Sequence, residues 1–333
     1  MEMSDSSNNI KCRDESEFKF DHLAFAKLHY VARNIREIIK ESETVDVNKI
    51  KEKIYVDRPY FAFNKIYKYK DILIAPIKSQ QQTYFESTPI CSAEASRHLA
   101  ILGSCSLSIN EDKAHYYMAN RARKRASHGI RKISYSNQPK LLYVLAKKYC
   151  SDKREASAVT SLVGASGDEI FNFQVNYVKL SEHLFAKIFG KHLQTTKQHP
   201  FNPYCEPLNF QDIKINGSVL HGTLPVVNPV YCAGHFEGAP ILPVGMLAYM
   251  AINSLGYFLD HITDNPALKY YLKSADMDVF SPTYIKETAD LKVSYVGGQN
   301  NEYHFIWKMQ NRNEKKLNSM DIVFVKHYEL INV

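Results

Sequence analysis

The sequence lacks several features that would assign a function directly. Its six cysteines include no CxxC pair, and none has metal-ligand spacing with a histidine, so no zinc site is predicted. No dense run of lysine and arginine stands alone, and a formal net charge of +7 is too mild to indicate nucleic-acid binding. No apolar stretch reaches about 18 residues, the length that a membrane span needs. Residues 1–9 are polar and acidic, where a signal peptide would be basic and then apolar. We therefore expect a cytoplasmic protein whose cysteines are reduced thiols.

The composition is that of a globular protein with room for two modules. The chain has 333 residues, of which 45% are hydrophobic and 23% are charged. Its 22 tyrosines favour sheets with half-buried faces. Residues 1–18 are polar, and we expect them to form a disordered N-terminus.

The hydrophobic pattern shows one order of elements twice, which predicts two similar modules. Module one covers 19–190 and contains an amphipathic helix over 21–42 and a buried helix over 92–104, which Ser92 would cap. A proline-containing linker, 191–208, leads to module two, 209–333, whose central helix covers 245–259. A short helix is expected over 182–189. Strands are predicted at 60–63, 72–77, 115–126, 140–149, 156–164, 170–180, 212–219, 222–227, 270–280, 289–296, 303–309 and 320–328.

Residues 234–243 read GHFEGAPILP and carry the strongest functional signal. The loop places His235 between a glycine and a phenylalanine, shortly before the apolar central helix of module two. This arrangement fixes an imidazole beside the positive end of a helix, which suits a general base. Gly238 permits a tight turn beneath the histidine. The alternative is a structural histidine held in a tight loop.

The loop resembles the signature of the β-hydroxyacyl-acyl carrier protein dehydratases (FabA/FabZ type), His-Phe-Pro-Gly-x-Pro-x-x-Pro-Gly. The resemblance implies an α+β protein with the double hot-dog fold, in which two curved antiparallel sheets each wrap round a central helix. One chain would then be a pseudodimer, either monomeric or paired again as a dimer of pseudodimers. Two positions depart from the signature. Glu237 replaces the first proline, and the glycine that should follow Pro243 is displaced to Gly245.

In that family, a histidine from one module works with an acid from the central helix of the other. The acid lies 14 residues after the histidine within its own module, where this chain has Tyr249. Glu94, in the stretch AEASRH, resembles the family's acid, and Gln80 lies 14 residues before it. The resemblance implies one complete composite site, His235 with Glu94, and one inactive site, Gln80 with Tyr249. His98 stands where the family has glutamine.

The implied activity is dehydration of a 3-hydroxyacyl thioester in fatty-acid or polyketide-like biosynthesis. His235 would abstract the C2 proton, and Glu94, with a raised pKa, would protonate the leaving hydroxyl. Backbone N–H groups near Val244 and Gly245 would stabilise the carbonyl oxygen, and His98 would line the substrate tunnel. No metal or redox cofactor is expected. The substrate itself carries phosphopantetheine, as a thioester of acyl carrier protein or of coenzyme A.

Other interpretations of the same residues remain open. A hot-dog thioesterase would hydrolyse the thioester with water activated by Glu94, and a degenerate module would bind acyl chains without turnover. Glu94 also suits the first turn of any helix, and His98 suits helix packing. The basic cluster Arg121, Arg123, Lys124 and Arg125 is either a solvated face or a docking surface for an acidic carrier protein or for the phosphates of coenzyme A.

Overall fold

Two long helices and one extended antiparallel sheet make up most of the structure. A computed structural model describes residues 20–127, 130, 141–190, 202–206, 208–236, 238–239 and 241–327. The helices are α1 (Ala26–Arg33), α2 (Ile35–Glu41), α3 (Val47–Ile54), α4 (Ser92–Ser108), α5 (Glu182–Phe189) and α6 (Val244–Thr263). The strands are β1 (Glu43–Thr44), β2 (Tyr67–Tyr69), β3 (Ile72–Ile77), β4 (Tyr116–Ala126), β5 (Leu142–Ser151), β6 (Glu155–Gly164), β7 (Glu169–Leu180), β8 (Gln211–Asn216), β9 (Val219–Leu224), β10 (Lys269–Val279), β11 (Ala289–Gly297), β12 (Glu302–Asn311) and β13 (Lys316–His327).

The order of the strands repeats on either side of the boundary between β4 and β10, which we call the seam. Across the described sheet the order is β1-β2-β3-β5-β6-β7-β4-β10-β13-β12-β11-β9-β8. From the seam outward, β4, β7, β6, β5, β3 and β2 correspond to β10, β13, β12, β11, β9 and β8. Each half therefore contains two strands, a long helix and four strands in that order, which is the repeat that the hydrophobic pattern predicts.

The two halves share one sheet, and the expectation of two separate sheets is wrong on this point. Strand β4 pairs with β10 in antiparallel register, from Arg125 opposite Ser274 to Arg121 opposite Asp278. The pairing joins the halves into a single sheet of 13 strands. Antiparallel ladders of this kind satisfy the backbone groups of what would otherwise be two exposed edges.

Helix α4 is almost entirely buried, because its small residues let it lie flat against the sheet. It packs on β3, β5, β6 and β7, and it also contacts α6. Gly103 is a point of closest approach, since a Cβ atom there would lie 2.6 Å from the Tyr177 hydroxyl and 3.3 Å from the Ala158 Cβ. Ser92 is the first helical residue, so it does not cap the helix. The fully buried Glu86 carboxylate accepts the Ser92 N–H at 3.0 Å instead.

The predicted helix over 21–42 is two helices and a preceding turn. A 3-10 turn, His22–Phe25, leads into α1, and Asn34 separates α1 from α2. The apolar faces of these helices pack on the sheet side opposite α4 in a second cluster with Ile74, Leu145 and Val159. Periodicity alone does not register the break, because both helices bury the same face.

Several smaller expectations have mixed outcomes. The 182–189 helix matches α5, and the 72–77 strand matches β3, whereas no strand forms over 60–63. Helix α3 was not predicted by the hydrophobic pattern. Cys91, Cys105, Cys205 and Cys232 are free thiols, but Cys150 is disulfide-bonded, so the expectation of six reduced thiols is wrong.

In the described part of the chain, no helix is both long enough and apolar enough to cross a membrane. Residues 1–18 and most of the predicted linker lie outside the described residues.

We expect Gly103→Ala to destabilise the protein by roughly 1–3 kcal/mol, because the added methyl overlaps the buried Tyr177 hydroxyl. Urea unfolding would measure the change. Gly190→Ala is the matched control, since a Cβ there meets nothing within 4 Å. Equal stabilities of the two variants would contradict the close packing of α4 on the sheet.

Candidate functional site

The loop that carries His235 belongs to the second half but is anchored to the first. His235 forms an isolated antiparallel bridge with Val56, and the Asp57 N–H donates to the Gly234 carbonyl at 2.8 Å. Gly234 has φ +74°, and a Cβ atom there would lie 2.2 Å from the Asp57 carbonyl oxygen. Only glycine fits at this position, for reasons of both conformation and space. The loop thus places His235 at the boundary between the halves.

A largely apolar cavity lies between α4, α6 and the seam strands β4 and β10. The empty volume is about 950 Å³, which includes the space that opens to solvent. Small-molecule sites are typically lined by apolar side chains with a few polar groups. The apolar lining includes Ala100, Ile101, Phe173, Ala248, Ile252, Leu272, Met277, Met320 and Ile322, and the polar lining includes Tyr60, Ser96, Arg97, Tyr117, Lys124 and His235.

His235 lines this cavity as a neutral imidazole. Protein atoms surround the ring, and burial lowers the pKa of His235 to about 3, an effect that a hydrogen bond to the Ile241 backbone opposes. The edge of the Tyr60 ring approaches the imidazole, with centroids 4.9 Å apart. Nδ1 has no hydrogen-bond partner among the described residues. The histidine is therefore an uncharged ring that lines the same cavity as Val244 and Gly245 at the start of α6.

Glu94 is buried, and its carboxylate is fully engaged. It accepts hydrogen bonds from the backbone N–H groups of Gln80 (2.7 Å) and Gln81 (2.9 Å) and from the Ser79 hydroxyl (3.2 Å). Burial by itself raises the pKa of Glu94, but His98, Arg97 and the Gln81 N–H outweigh burial and lower it. The carboxylate is therefore ionised, contrary to the raised pKa that a proton donor requires.

His98 holds Glu94 from one helical turn away. Its Nε2 lies 3.2 Å from the Glu94 carboxylate, and the residue has no exposed surface. Burial and the neighbouring Arg97 lower the pKa of His98, against the effect of Glu94. The Nε2–H of a neutral imidazole thus donates to the carboxylate, and the residue acts as a packed partner of Glu94.

Arg97 connects the surroundings of Glu94 to those of His235. Its guanidinium lies over the rings of Tyr60 (5.9 Å) and Tyr204 (5.1 Å). A Cβ atom on Gly245 would lie 3.1 Å from the Arg97 Cβ, so the glycine permits close crossing of α4 and α6. The Gly245 backbone amide also bonds the Tyr60 hydroxyl, although burial still raises the pKa of Tyr60 to about 12. The Gly245 N–H is therefore already engaged with Tyr60.

The predicted site residues fall into two groups in the structure. His235, Val244 and Gly245 line the cavity together. Glu94 and His98 are absent from its described lining, since Glu94 bonds the turn at 79–81 and His98 bonds Glu94. Gly238, with φ +77°, occupies the turn below His235 that its sequence position suggests, also without lining the cavity. Glu237 and Pro240 lie outside the described residues.

Arg97 and Tyr204 were not among the site residues predicted from the sequence, and Lys124 was expected only on a solvated face or a docking surface. Tyr204 is fully buried beside Arg97, although its segment has the composition of a surface linker. Lys124 is buried against α4, where its ammonium donates to the Ser92 carbonyl at 2.6 Å and to the Ser96 hydroxyl at 2.8 Å. Burial lowers the pKa of Lys124 to about 8, while the Glu86 carboxylate opposes the shift. No local sequence signal reports either burial.

The other members of the basic cluster face acids across the seam. Arg125 forms an ion pair with Asp276, and Arg123 bonds Asp278 at 3.2 Å. The cluster therefore contributes to the pairing of β4 with β10, which neither of the two sequence-based interpretations anticipated. Within the described residues, no group of three or more histidine, cysteine or acidic side chains could hold a metal ion.

Comparison with known proteins shows similarity in structure alone. No family model matches the chain, and neither does any curated protein sequence. An acyl-CoA thioesterase II from Mycobacterium marinum aligns with a TM-score of 0.50 and 12% identity, over 84% of this chain and 99% of that chain. A tesB protein from Mycobacterium avium subspecies paratuberculosis aligns with a TM-score of 0.50 and 6% identity, over 85% and 100%. A protein of unknown function with a hot-dog fold from Alicyclobacillus acidocaldarius aligns with a TM-score of 0.48 and 6% identity, over 83% and 100%.

The two alignments with a TM-score of 0.50 bear on the fold and leave the reaction open. A long helix and the same order of antiparallel strands in each half agree with the hot-dog fold that the family resemblance implies. The chain therefore has a hot-dog fold, with both halves on one continuous sheet.

We expect Glu94→Gln to lower the free energy of unfolding by roughly 1–3 kcal/mol, because an amide nitrogen would face the backbone donors of residues 80 and 81. Urea unfolding at pH 7 would measure the loss, with the exposed Glu37→Gln as the control. The folded-state pKa of Glu94 is lowered, so its stabilising effect is present above pH 4.5 and is lost as the pH falls further. A loss no larger than that of the control would contradict the structural role of Glu94.

Proposed function

We propose that the protein is an acyl thioesterase that binds the acyl chain in the cavity between α4 and α6. The observation that carries the proposal is the position of His235, a neutral imidazole without a charged partner that lines an apolar cavity. The apolar lining suits an acyl chain, and the histidine suits activation of a water molecule.

The reaction would proceed by attack of water on the thioester carbonyl carbon. His235 would take one proton from the water as the C–O bond forms, and the negative charge would develop on the carbonyl oxygen. The positive end of α6, near Val244, would stabilise that oxygen. When the C–S bond breaks, the imidazolium would return the proton to the leaving thiolate. The products are a carboxylic acid and a free thiol.

The ionised state of Glu94 favours hydrolysis over dehydration. Dehydration needs an acid that protonates the leaving C3 hydroxyl, and Glu94 was the candidate. Its carboxylate instead accepts four hydrogen bonds, and its pKa is lowered. The same contacts count against activation of water by Glu94, which leaves His235 as the base of the proposed hydrolysis.

The structural neighbours support an acyl thioester as the substrate class. The Mycobacterium marinum protein with the same fold is an acyl-CoA thioesterase II. For this chain, the carrier of the thioester is proposed to be coenzyme A or an acyl carrier protein. Arg123 and Arg125 belong to the basic cluster that the sequence offered as a carrier-docking surface. They are paired with Asp278 and Asp276, so they do not favour either carrier.

A second candidate function is acyl binding without turnover. The observation in its favour is the depressed pKa of His235, because a base with a pKa of about 3 accepts a proton weakly. A bound substrate would offset this weakness, since negative charge on the carbonyl oxygen raises the pKa of an adjacent imidazolium. Measured turnover separates the two candidates.

We expect dodecanoyl-coenzyme A to be hydrolysed, with release of dodecanoate and free thiol in equal amounts. Substitution His235→Gln should lower kcat by about 100-fold to 10,000-fold, the usual contribution of general-base catalysis. Mass spectrometry and a thiol reagent would follow the products. His221→Gln, on an exposed part of β9, is the matched control.

Three other results would distinguish the alternatives. Loss of 18 mass units from an intact 3-hydroxyacyl thioester would indicate dehydration. Binding without any product would indicate the non-catalytic function. Full activity of His235→Gln would refute the role given to the histidine.

We expect kcat/KM for hydrolysis to stay level between pH 8 and pH 5. His235 has a pKa of about 3, so its neutral form is present throughout that range. A histidine with the ordinary pKa of 6.5 would instead become protonated and lose activity below that pH. Initial rates at low substrate concentration would give the profile, with circular dichroism at each pH as the control for folding. An acid limb near pH 6.5 would contradict the neutral state of His235.

A further inference from the structure

Arg97 is a buried cation beside the cavity, and two of its hydrogen-bond donors are not used by any described residue. The residue is only 2% exposed and lines the cavity. Its Nη2 donates to the Gln80 side-chain oxygen, while Nε and Nη1 have no partner among the described residues. Buried guanidinium groups are normally paired, because an unpartnered charged donor is costly to bury.

The surroundings fix the guanidinium without using those donors. The rings of Tyr60 and Tyr204 lie against Arg97, and Gly245 packs against its aliphatic stem. The rings offer π-electron density but no oxygen lone pair to the free N–H groups. The side chain is therefore held in place before any ligand arrives, which lowers the entropy cost of binding.

The nearby charged groups leave the Nε and Nη1 donors of Arg97 without a hydrogen bond. Glu94 attracts it electrostatically, but both carboxylate oxygens of Glu94 already accept hydrogen bonds from other groups. His98 is neutral at physiological pH because its pKa is lowered. Lys124, the other cation of the lining, already donates to Ser92 and Ser96. Arg97 is thus the cation of this wall with the most donor capacity left.

Two further polar atoms of the lining also lack partners. The Tyr117 hydroxyl and Nδ1 of His235 have no hydrogen-bond partner within the described residues. Tyr117 is 5% exposed. The rest of the cavity is mainly apolar, with side chains such as Ile252, Leu272 and Met320. A ligand that satisfies both features has an anionic oxygen group at one end and an apolar chain behind it.

We propose that the cavity is a binding site for free long-chain carboxylates, with Arg97 as the residue that binds the carboxylate. Guanidinium and carboxylate form strong charge-assisted hydrogen bonds, and the acyl tail would occupy the apolar part of the cavity. This inference goes beyond the proposed function because binding does not require turnover. Where hydrolysis also takes place, the acid product would remain bound and inhibit the enzyme.

Isothermal titration calorimetry of the full chain with dodecanoate, dodecanol and dodecylamine tests the inference without any substitution. We expect one site per chain and dodecanoate binding at least tenfold tighter than either analogue. Equal affinities for the acid and the alcohol would overturn the proposal, because the chain alone would then determine binding. Tighter binding of 4′-phosphopantetheine than of dodecanoate would also overturn it, since the anion site would then serve a phosphate.

Substitutions identify the residue that binds the carboxylate. Arg97→Gln should weaken dodecanoate binding at least tenfold and leave dodecanol binding unchanged. Arg97→Lys, which keeps the charge, should recover part of the loss, and the exposed Arg312→Gln serves as the matched control. If Arg97→Gln does not fold, Ala248→Phe provides a second test, because the larger side chain fills the cavity and should abolish binding. Unchanged binding in either folded variant would refute the site.

The hydrolysis assay keeps this inference separate from the proposed function. Dodecanoate binding without hydrolysis of dodecanoyl-coenzyme A would refute the thioesterase function and retain the carboxylate site. Hydrolysis without selective dodecanoate binding would refute the carboxylate site and retain the thioesterase function.

Discussion

The rest of the structure depends on the pairing of β4 with β10. This antiparallel ladder joins two similar halves into one sheet, and the ion pairs of Arg123 and Arg125 with acids on β10 lie along it. Because the halves are held edge to edge, their central helices come into contact, and a cavity is left between the helices and the seam. The loop of His235 then reaches the opposite half and pairs with Val56. The backbone hydrogen bonds between β4 and β10, which form in one register, thus bring the parts of the site together.

The sequence predicted the repeated architecture because hydrophobic periodicity is a local property. Helices α4, α5 and α6 and most long strands lie within a few residues of their predicted positions. The pattern did not show that the halves share one sheet, since edge pairing depends on register across the chain. It placed His235 on a tight loop, as the structure has it, but it gave no information on the partners of Glu94. Arg97 and Tyr204 were missed as site residues because the contact between them is tertiary.

Glu94 and His235 show how partners, more than burial, determine protonation. Both are largely surrounded by protein, and burial penalises the charged form of each. Glu94 has two backbone N–H donors, a hydroxyl and His98 around its carboxylate, so it remains ionised. His235 has no charged partner, so its neutral form prevails. The two residues that the family resemblance pairs as base and acid therefore occupy opposite electrostatic situations, and only the histidine faces the cavity.

Because the two halves are not identical, the cavity at the seam can distinguish the two orientations of a bound ligand. In a symmetric homodimer, each side chain at the interface appears twice, and a ligand could lie across the axis in either of two equivalent orientations. In the register that aligns Glu94 with Tyr249, Arg97 aligns with Ile252. One copy of the repeat therefore carries the cation and the other does not. A ligand with one charged end has a single favourable orientation, which gives the pseudosymmetric cavity a head and a tail.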